Sequence, residues 1–190
     1  MNKYLKGSIL GCTFIAILTA KSLPTAAHSS IVAVGKTSIK KIIVREARKM
    51  GVPASLALAV AHAESSFNHH AESSKGARGV MQIMPATAMG EYGIEADRLW
   101  NPRINIRLGL HYLEGLIRRY NGRTNLALSF YNGGSAVGEP RRARIIPATY
   151  SYIRKVRKLQ SVYRAQLYRD RPNFLKNQTL LPHIRQRKWK

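Results

Sequence analysis

Through the middle of the chain apolar residues recur every three to four positions, the spacing that turns one face of an α-helix toward a core. Ser38 stands where a cap would open a first helix, whose Ile39, Ile42, Ile43 and Met50 fall at that spacing, with Gly51 just past its end. Pro53 suits the first turn of a second helix, in which Leu56, Val60 and Glu64 lie four apart on one stripe beside Ala59 and Ala63. Residues 67–79 are small, polar and glycine-bearing and read as a loop leading into a short helix over 80–84, after which Pro85 restarts the chain direction. Asn101-Pro102 is a cap followed by a favoured first-turn proline; the helix beyond it turns Ile106, Leu110, Leu113 and Ile117 inward and ends near Asn121-Gly122. Thr124 can cap another helix through Tyr131, stopped by Gly133 and Gly134, and 147–169 form a final helix with Ile153, Val156 and Val162 buried. Strand signals are nearly absent, so the pattern predicts a mainly α domain.

The two ends break this pattern. Lys3 and Lys6 precede an apolar run over 9–20 that is short for a bilayer span, and small residues at Thr25 and Ala27 suit a signal peptidase. We therefore expect a signal peptide over 1–27, a linker over 28–37, a folded domain over 38–169, and no stable membrane insertion once the signal is cleaved. An uncleaved anchor is the alternative. Arg171-Pro172 should end the last helix, leaving 170–190 as an extended or disordered basic arm.

A length of 190 residues with a hydrophobic share of 45% holds one core and excludes a disordered chain. The single cysteine, Cys12, falls inside the expected signal, which removes thiol and disulfide chemistry from the mature protein. Charge changes the picture more. Thirty-two Lys and Arg stand against nine acids, a formal net charge of +23, and after Arg141 the only acid is Asp170. Such a surface seeks polyanions: nucleic acid, an anionic membrane or the carboxylate-rich stem peptides of a bacterial wall. Export argues against nucleic acid as the partner. The six histidines, His28, His62, His69, His70, His111 and His183, show no metal-ligand spacing, so neither a metal nor another cofactor is expected.

Among the acids, Glu91, Glu95 and Asp97 fall in a polar stretch and Glu46 on the basic face of the first helix. Glu64 differs, because it follows seven residues of which six are Ala, Leu or Val. Burial, and a position in the last helical turn where the dipole disfavours negative charge, should both raise its pKa. A carboxylic acid kept protonated near neutral pH is what breaking a glycosidic bond requires, since the leaving oxygen must receive a proton. On periodicity alone the competing reading is a surface glutamate that ends an amphipathic helix.

The surrounding motifs decide between them. Glu64-Ser65, the run Gly76-Ala77-Arg78-Gly79-Val80-Met81-Gln82-Ile83-Met84-Pro85-Ala86-Thr87-Ala88, Asn101-Pro102, Asn105-Ile106-Arg107-Leu108-Gly109 with Tyr112-Leu113, Tyr131-Asn132, and Tyr152-Ile153 stand in one order. In that order and spacing the chain resembles the soluble lytic transglycosylase (SLT) family over about 52–156, with goose-type lysozyme as a more distant relative. The resemblance implies a single helical lysozyme-like domain with a substrate groove. It implies that Glu64 protonates the oxygen bridging N-acetylmuramic acid and N-acetylglucosamine, then takes a proton from the muramyl 6-hydroxyl to leave a 1,6-anhydro end. It further implies Ser73 near the substrate N-acetyl group, Gln82 and Met84 on the groove floor, and Tyr112, Tyr131, Asn132 and Tyr152 around the groove. Peptidoglycan glycan strands would be the substrate, the periplasm the location, and an envelope-spanning secretion or conjugation machine the partner by analogy.

Two departures stand out. Ser129-Phe130 replaces the family's usual pair of alanines, and Asn68-His69 its usual Asn-Pro; Phe130 is the one expected to reshape the groove. Glu72, the nearest other acid, reads as a solvated surface group and not as a nucleophile. The competing functions are a hydrolytic muramidase of the same fold and a non-catalytic basic wall-binding protein.

Overall fold

The computed structural model describes residues 35–170, so the expected signal peptide, most of the linker, and the arm beyond Asp170 lie outside the described residues. Six α-helices follow one another: α1 (Lys36–Lys49), α2 (Ala54–Ser65), α3 (Pro85–Tyr92), α4 (Pro102–Arg119), α5 (Thr124–Gly133) and α6 (Tyr150–Arg169). Short 3-10 turns at Ala96–Trp100, Gly134–Val137 and Pro147–Thr149 join them. Strand pairing among the described residues is limited to isolated bridges, Glu72 with Arg78 and Arg78 with Ile83.

The centre of the packing is α2. Every residue from Ser55 to Ala61 is buried, because α1 and α6 both lie against it. Ala57, Ala59 and Ala61 present only a methyl group, which lets neighbouring backbones come close without voids. The stripe expected from Leu56 and Val60 is thus real but is only part of a helix enclosed on nearly all sides. A smaller cluster of Leu116, Tyr120, Leu126, Ala127 and Val137 sits where α4 meets α5.

Several local expectations give way to tertiary contacts. The first helix opens at Gly35, two residues into the stretch expected to be linker, and no side chain caps it, so Ser38 lies within the first turn. Pro53 is the N-cap of α2 and precedes its first residue. Asn101 does cap α4, its Oδ1 accepting from the amides of Arg103 and Ile104. Thr124 does not cap α5: its hydroxyl donates to the Gly122 carbonyl instead. Residues 80–84 are not helical, since Gly79 and Gln82 hold φ of 76° and 49°, values that no α-helix contains. Val162 is 53% exposed, and Gln160 and Tyr163 take the buried places on α6.

Glu46 overturns its expected solvent exposure. It is buried, 7% exposed, with Arg45 Nε at 3.1 Å and Lys49 Nζ at 3.5 Å. Burial acts to raise its pKa, but the Arg45 hydrogen bond and the charges of Lys49 and Arg45 outweigh it and hold the carboxyl below its ordinary value. A buried acid between two cations stays ionised and serves structure.

Candidate active site

Where α2 ends, Ser66 and Phe67 adopt left-handed φ of 51° and 66°, turning the chain sharply away immediately after Glu64. Two such non-glycine residues in a row are costly, of order 1–3 kcal/mol each, and persist because Phe67 is buried against the rings of His62 and Tyr163. The turn leaves the Glu64 carboxyl beside the first turns of α6. There the Tyr152 hydroxyl donates to Glu64 Oε1 at 2.5 Å, and one turn further Lys155 Nζ donates to the Ala63 carbonyl at 2.8 Å. The lysine thus satisfies a backbone acceptor at the negative end of the α2 dipole.

Burial raises the Glu64 pKa from 4.5 to about 7, against the Tyr152 hydrogen bond and the Lys155 charge, which both act to lower it. Burial and then the Glu64 charge push the phenols of Tyr152 and Tyr131 well above their usual value, so both remain neutral donors. This contrasts with Glu46: one buried carboxyl paired with cations and ionised, and one partly buried carboxyl facing phenols and able to keep its proton near neutral pH. Because the Tyr152 donor favours the carboxylate, Tyr152→Phe should move the Glu64 pKa further upward; carbon-13 NMR titration of the side-chain carboxyl reads this directly, and a downward move would refute the role given to the phenol.

The loop after α2 is held to its end from several directions. Ser65 Oγ donates to the Val80 carbonyl at 2.8 Å, which ties the residue next to Glu64 to the start of the buried turn. Asn105, fully buried on α4, accepts from the Met81 amide at 2.8 Å and donates to the carbonyls of Arg78 and Leu99 at 2.8 and 3.1 Å. Tyr131 donates to the Met81 carbonyl at 2.8 Å from α5, so the Met81 residue is gripped at both its amide and its carbonyl. The approach is close enough to require glycine at two points. A Cβ on Gly79 would lie 2.5 Å from Asn105 Nδ2, and one on Gly109 would lie 2.4 Å from the Met81 Cβ.

Gln82, Met84, Tyr112, Tyr131 and Asn132 converge on one pocket of about 210 Å3. Gln82 spends its amide on the structure, Nε2 donating to the Ala71 and Gly79 carbonyls at 3.0 Å each, while the Met84 side chain is 38% exposed and available as an apolar platform. The rings of Tyr112 and Tyr131 lie 5.6 Å apart and tilted, packed against each other as an aromatic pair. Tyr131 connects this pocket to Glu64, whose charge acts on its phenol. Glu64 and Tyr152 do not themselves line the pocket, and Tyr131 is the residue common to both.

Ser73 is occupied elsewhere. Its hydroxyl oxygen accepts from the Ala77 amide at 3.0 Å and its own amide donates to the Ala77 carbonyl at 2.9 Å, closing a turn within the loop. Glu72 and Asp97 both face the Arg78 guanidinium, at 3.1 and 3.3 Å, so neither is a free carboxylate aimed at the pocket. Of the departures, Ser129 is buried and joins α5 to the turn before α6, accepting from the Ile146 amide at 2.9 Å and lying 2.8 Å from the Thr149 hydroxyl. Phe130 lines the pocket with the Arg119 guanidinium 5.6 Å from its ring centre. Sequence reasoning assigned no role to Ser65, Asn105 or Lys155. The first two were inside the quoted motifs, but nothing local distinguishes a side chain that reaches another element.

Residues 41–144 match the Transglycosylase SLT domain family. The soluble lytic murein transglycosylase of Escherichia coli is 32% identical over 90 residues, which is 44% of this chain and 14% of that protein. Membrane-bound lytic murein transglycosylase C of Cronobacter sakazakii is 37% identical over 109 residues, 49% of this chain and 30% of its own length. The chain therefore spans a minor part of these relatives. Among solved structures, an inactive mutant of the lytic transglycosylase Slt of Pseudomonas aeruginosa superimposes with a TM-score of 0.60 at 30% identity, covering 68% of this chain and 24% of that one. The matched residues contain Glu64, the loop pinned by Asn105 and the whole pocket, and stop short of Tyr152 and Lys155, which α6 supplies. Spanning more than half of the sequence and all of the site except its α6 wall, this match places the chain in the Transglycosylase SLT domain family, whose helical, lysozyme-like fold it has.

Proposed function

We propose that the protein is a lytic transglycosylase that cleaves peptidoglycan glycan strands at the β-1,4 bond between N-acetylmuramic acid and N-acetylglucosamine. The observation that carries this is the Glu64 carboxyl, buried at the end of α2 with a pKa of about 7 and bonded by a neutral phenol beside an aromatic-lined pocket. In the ground state Glu64 is protonated and gives its proton to the bridging oxygen as that bond breaks. The muramyl 6-hydroxyl then bonds to the anomeric carbon and returns its proton to Glu64, so the glutamate is regenerated and no water is consumed. The substrate's own N-acetyl group takes the place of the second carboxylate that other glycosidases use. The engagement of Glu72 and Asp97 with Arg78 supports that reading.

Gln82 and Met84 form the groove floor, Tyr112, Tyr131 and Asn132 its wall, and Tyr152 the donor that orients the acid. Ser73 meets the N-acetyl group through its hydroxyl hydrogen, its oxygen being already bonded. We read 38–169 as the catalytic unit, 1–27 as a signal that directs it to the periplasm, 28–37 as a linker, and the basic residues from 170 onward as a hold on the anionic wall. Sequencing the N-terminus of the periplasmic protein tests the export reading, and an intact residue 1 there would refute it. Service to a secretion, conjugation or pilus machine is the cellular role we assign; a Glu64→Gln strain with undiminished transport would remove it.

Mass spectrometry of muropeptides released from purified sacculi decides the chemistry. Anhydromuropeptides are expected; products heavier by one water would identify a hydrolytic muramidase instead. Release of nothing by an active-site-intact protein would favour wall binding without catalysis.

A further inference from the structure

A cavity of about 730 Å3, larger than the pocket beside Glu64, opens between α1 and the C-terminal half of α6. Its floor is apolar: Val44, Leu58, Leu167 and the Tyr163 ring. Its rim is cationic, with Lys40, Lys41, Arg45, Arg48 and Lys49 all from α1 and one carboxylate, Asp170, at the far end of α6. Glu46 answers Arg45 and Lys49 together, and Lys40 Nζ lies 4.9 Å from the centre of the Phe67 ring, so positive charge remains in excess along the rim. A second hollow of about 500 Å3 shares Arg48 and Leu167 with this cavity and is bordered by Arg164 and by Tyr168, which is 72% exposed. The groove shares no lining residue with the pocket of Gln82, Met84 and Tyr131.

We propose that this groove receives an acidic amphipathic helix of a partner protein. An elongated apolar floor beside a cationic rim fits a helix that lays leucine-type anchors inward and carries Asp or Glu along its flank. The chain's own ends have the wrong charge. Residues 171–190 contain six Lys and Arg and no acid, and 28–34 contain no acid either, so neither complements the rim. A second copy, at +23, would be repelled. A flat anionic membrane does not fill a concave floor, whereas a rod-shaped segment does.

Fluorescence anisotropy of a labelled synthetic helix, with leucines at i, i+3, i+4 and i+7 and glutamates flanking them, titrated with the full-length protein tests this. The expected result is salt-sensitive binding, at least about tenfold tighter than to the same helix with lysines for glutamates. Lys41→Glu, a surface change, should weaken it about tenfold, as should Leu167→Asp, whose folding is checked by thermal melting; Glu64→Gln should leave it unaltered. Equal affinity for both helices, indifference to Lys41→Glu, or binding that emerges only after removal of 171–190 would each overturn the proposal, the last by making the tail the occupant. Binding of anionic vesicles but not of the acidic helix would overturn it in favour of a lipid surface.

Discussion

Glu64→Gln is expected to lower turnover on sacculi by roughly 10²–10⁴-fold, the usual contribution of a general acid, while making the protein more stable at alkaline pH. Both effects have one origin. Glutamine keeps the shape and still accepts the Tyr152 hydrogen bond, but it has no proton to give. The folded-state pKa of about 7 lies above the ordinary 4.5, so between those values the folded protein holds a proton that the unfolded chain has lost. Unfolding free energy therefore falls as pH rises from about 4.5 to 7, and then levels off. At about 1.4 kcal/mol per pH unit, the deficit above pH 7 is at most about 3.5 kcal/mol. The difference in stability between Glu64→Gln and the parent should thus be small at pH 4 and grow to about 2–3 kcal/mol at pH 8, read from urea midpoints across pH. A constant difference would mean that the carboxyl is not desolvated. The same ionisation sets the alkaline limb of activity, which should decline above about pH 7.

Asn105→Leu should be the most damaging change outside the site. Leucine keeps the branching of the side chain but is bulkier, so overpacking against Gly79 adds to the loss of hydrogen bonds. It removes one acceptor and two donors and strands the Met81 amide and the Leu99 carbonyl in places that water does not reach readily, while the Arg78 carbonyl loses one of two donors and keeps the Ile83 amide at 3.0 Å. At about 1–3 kcal/mol for each buried group left unpaired, with partial relaxation, a loss of about 3–5 kcal/mol is expected, a large part of the stability of an ordinary domain. The melting temperature should drop by about 10 °C or more. Activity at a temperature where the variant remains folded should fall as well, because the Met81 residue that Asn105 steadies is also the anchor of Tyr131. Loss of stability with kcat intact would separate the scaffold from the site.

The comparison of Glu46 with Glu64 shows where reading along a chain stops. Periodicity put both on helices, and the apolar run before Glu64 was enough to expect its burial and raised pKa. Glu46 shows no such run, yet among the described residues it is the one acid that is fully buried, on a helix packed against α2 and α4. What makes one an acid and the other a structural anion is the partner: two cations from the same helix for Glu46, a phenol from a helix 88 residues away for Glu64.

Turn chemistry was legible in the same uneven way. Asn101 capped as expected because its competitor groups are local. Thr124 had the right residue type but found the Gly122 carbonyl first, and 80–84 looked helical because Val80, Met81 and Ile83 are apolar, when their apolar character reflects burial of an irregular turn. Two left-handed residues, Gly79 and Gln82, bracket that turn, and its amide and carbonyl bonds are met by side chains from α4 and α5.

From its residues alone the chain read as a helical protein with a carboxyl, Glu64, at the end of a small-residue helix, since helical spacing and local polarity are properties of neighbours in sequence. Tertiary structure alone decided that the carboxyl meets Tyr152, that Lys155 closes the end of α2, that Asn105 and Tyr131 share Met81, and that α1 and α6 leave a basic-rimmed groove between them. Those pairings join residues tens of positions apart, and hydrogen bonding and burial at such separations follow from how helices pack, which no local pattern encodes.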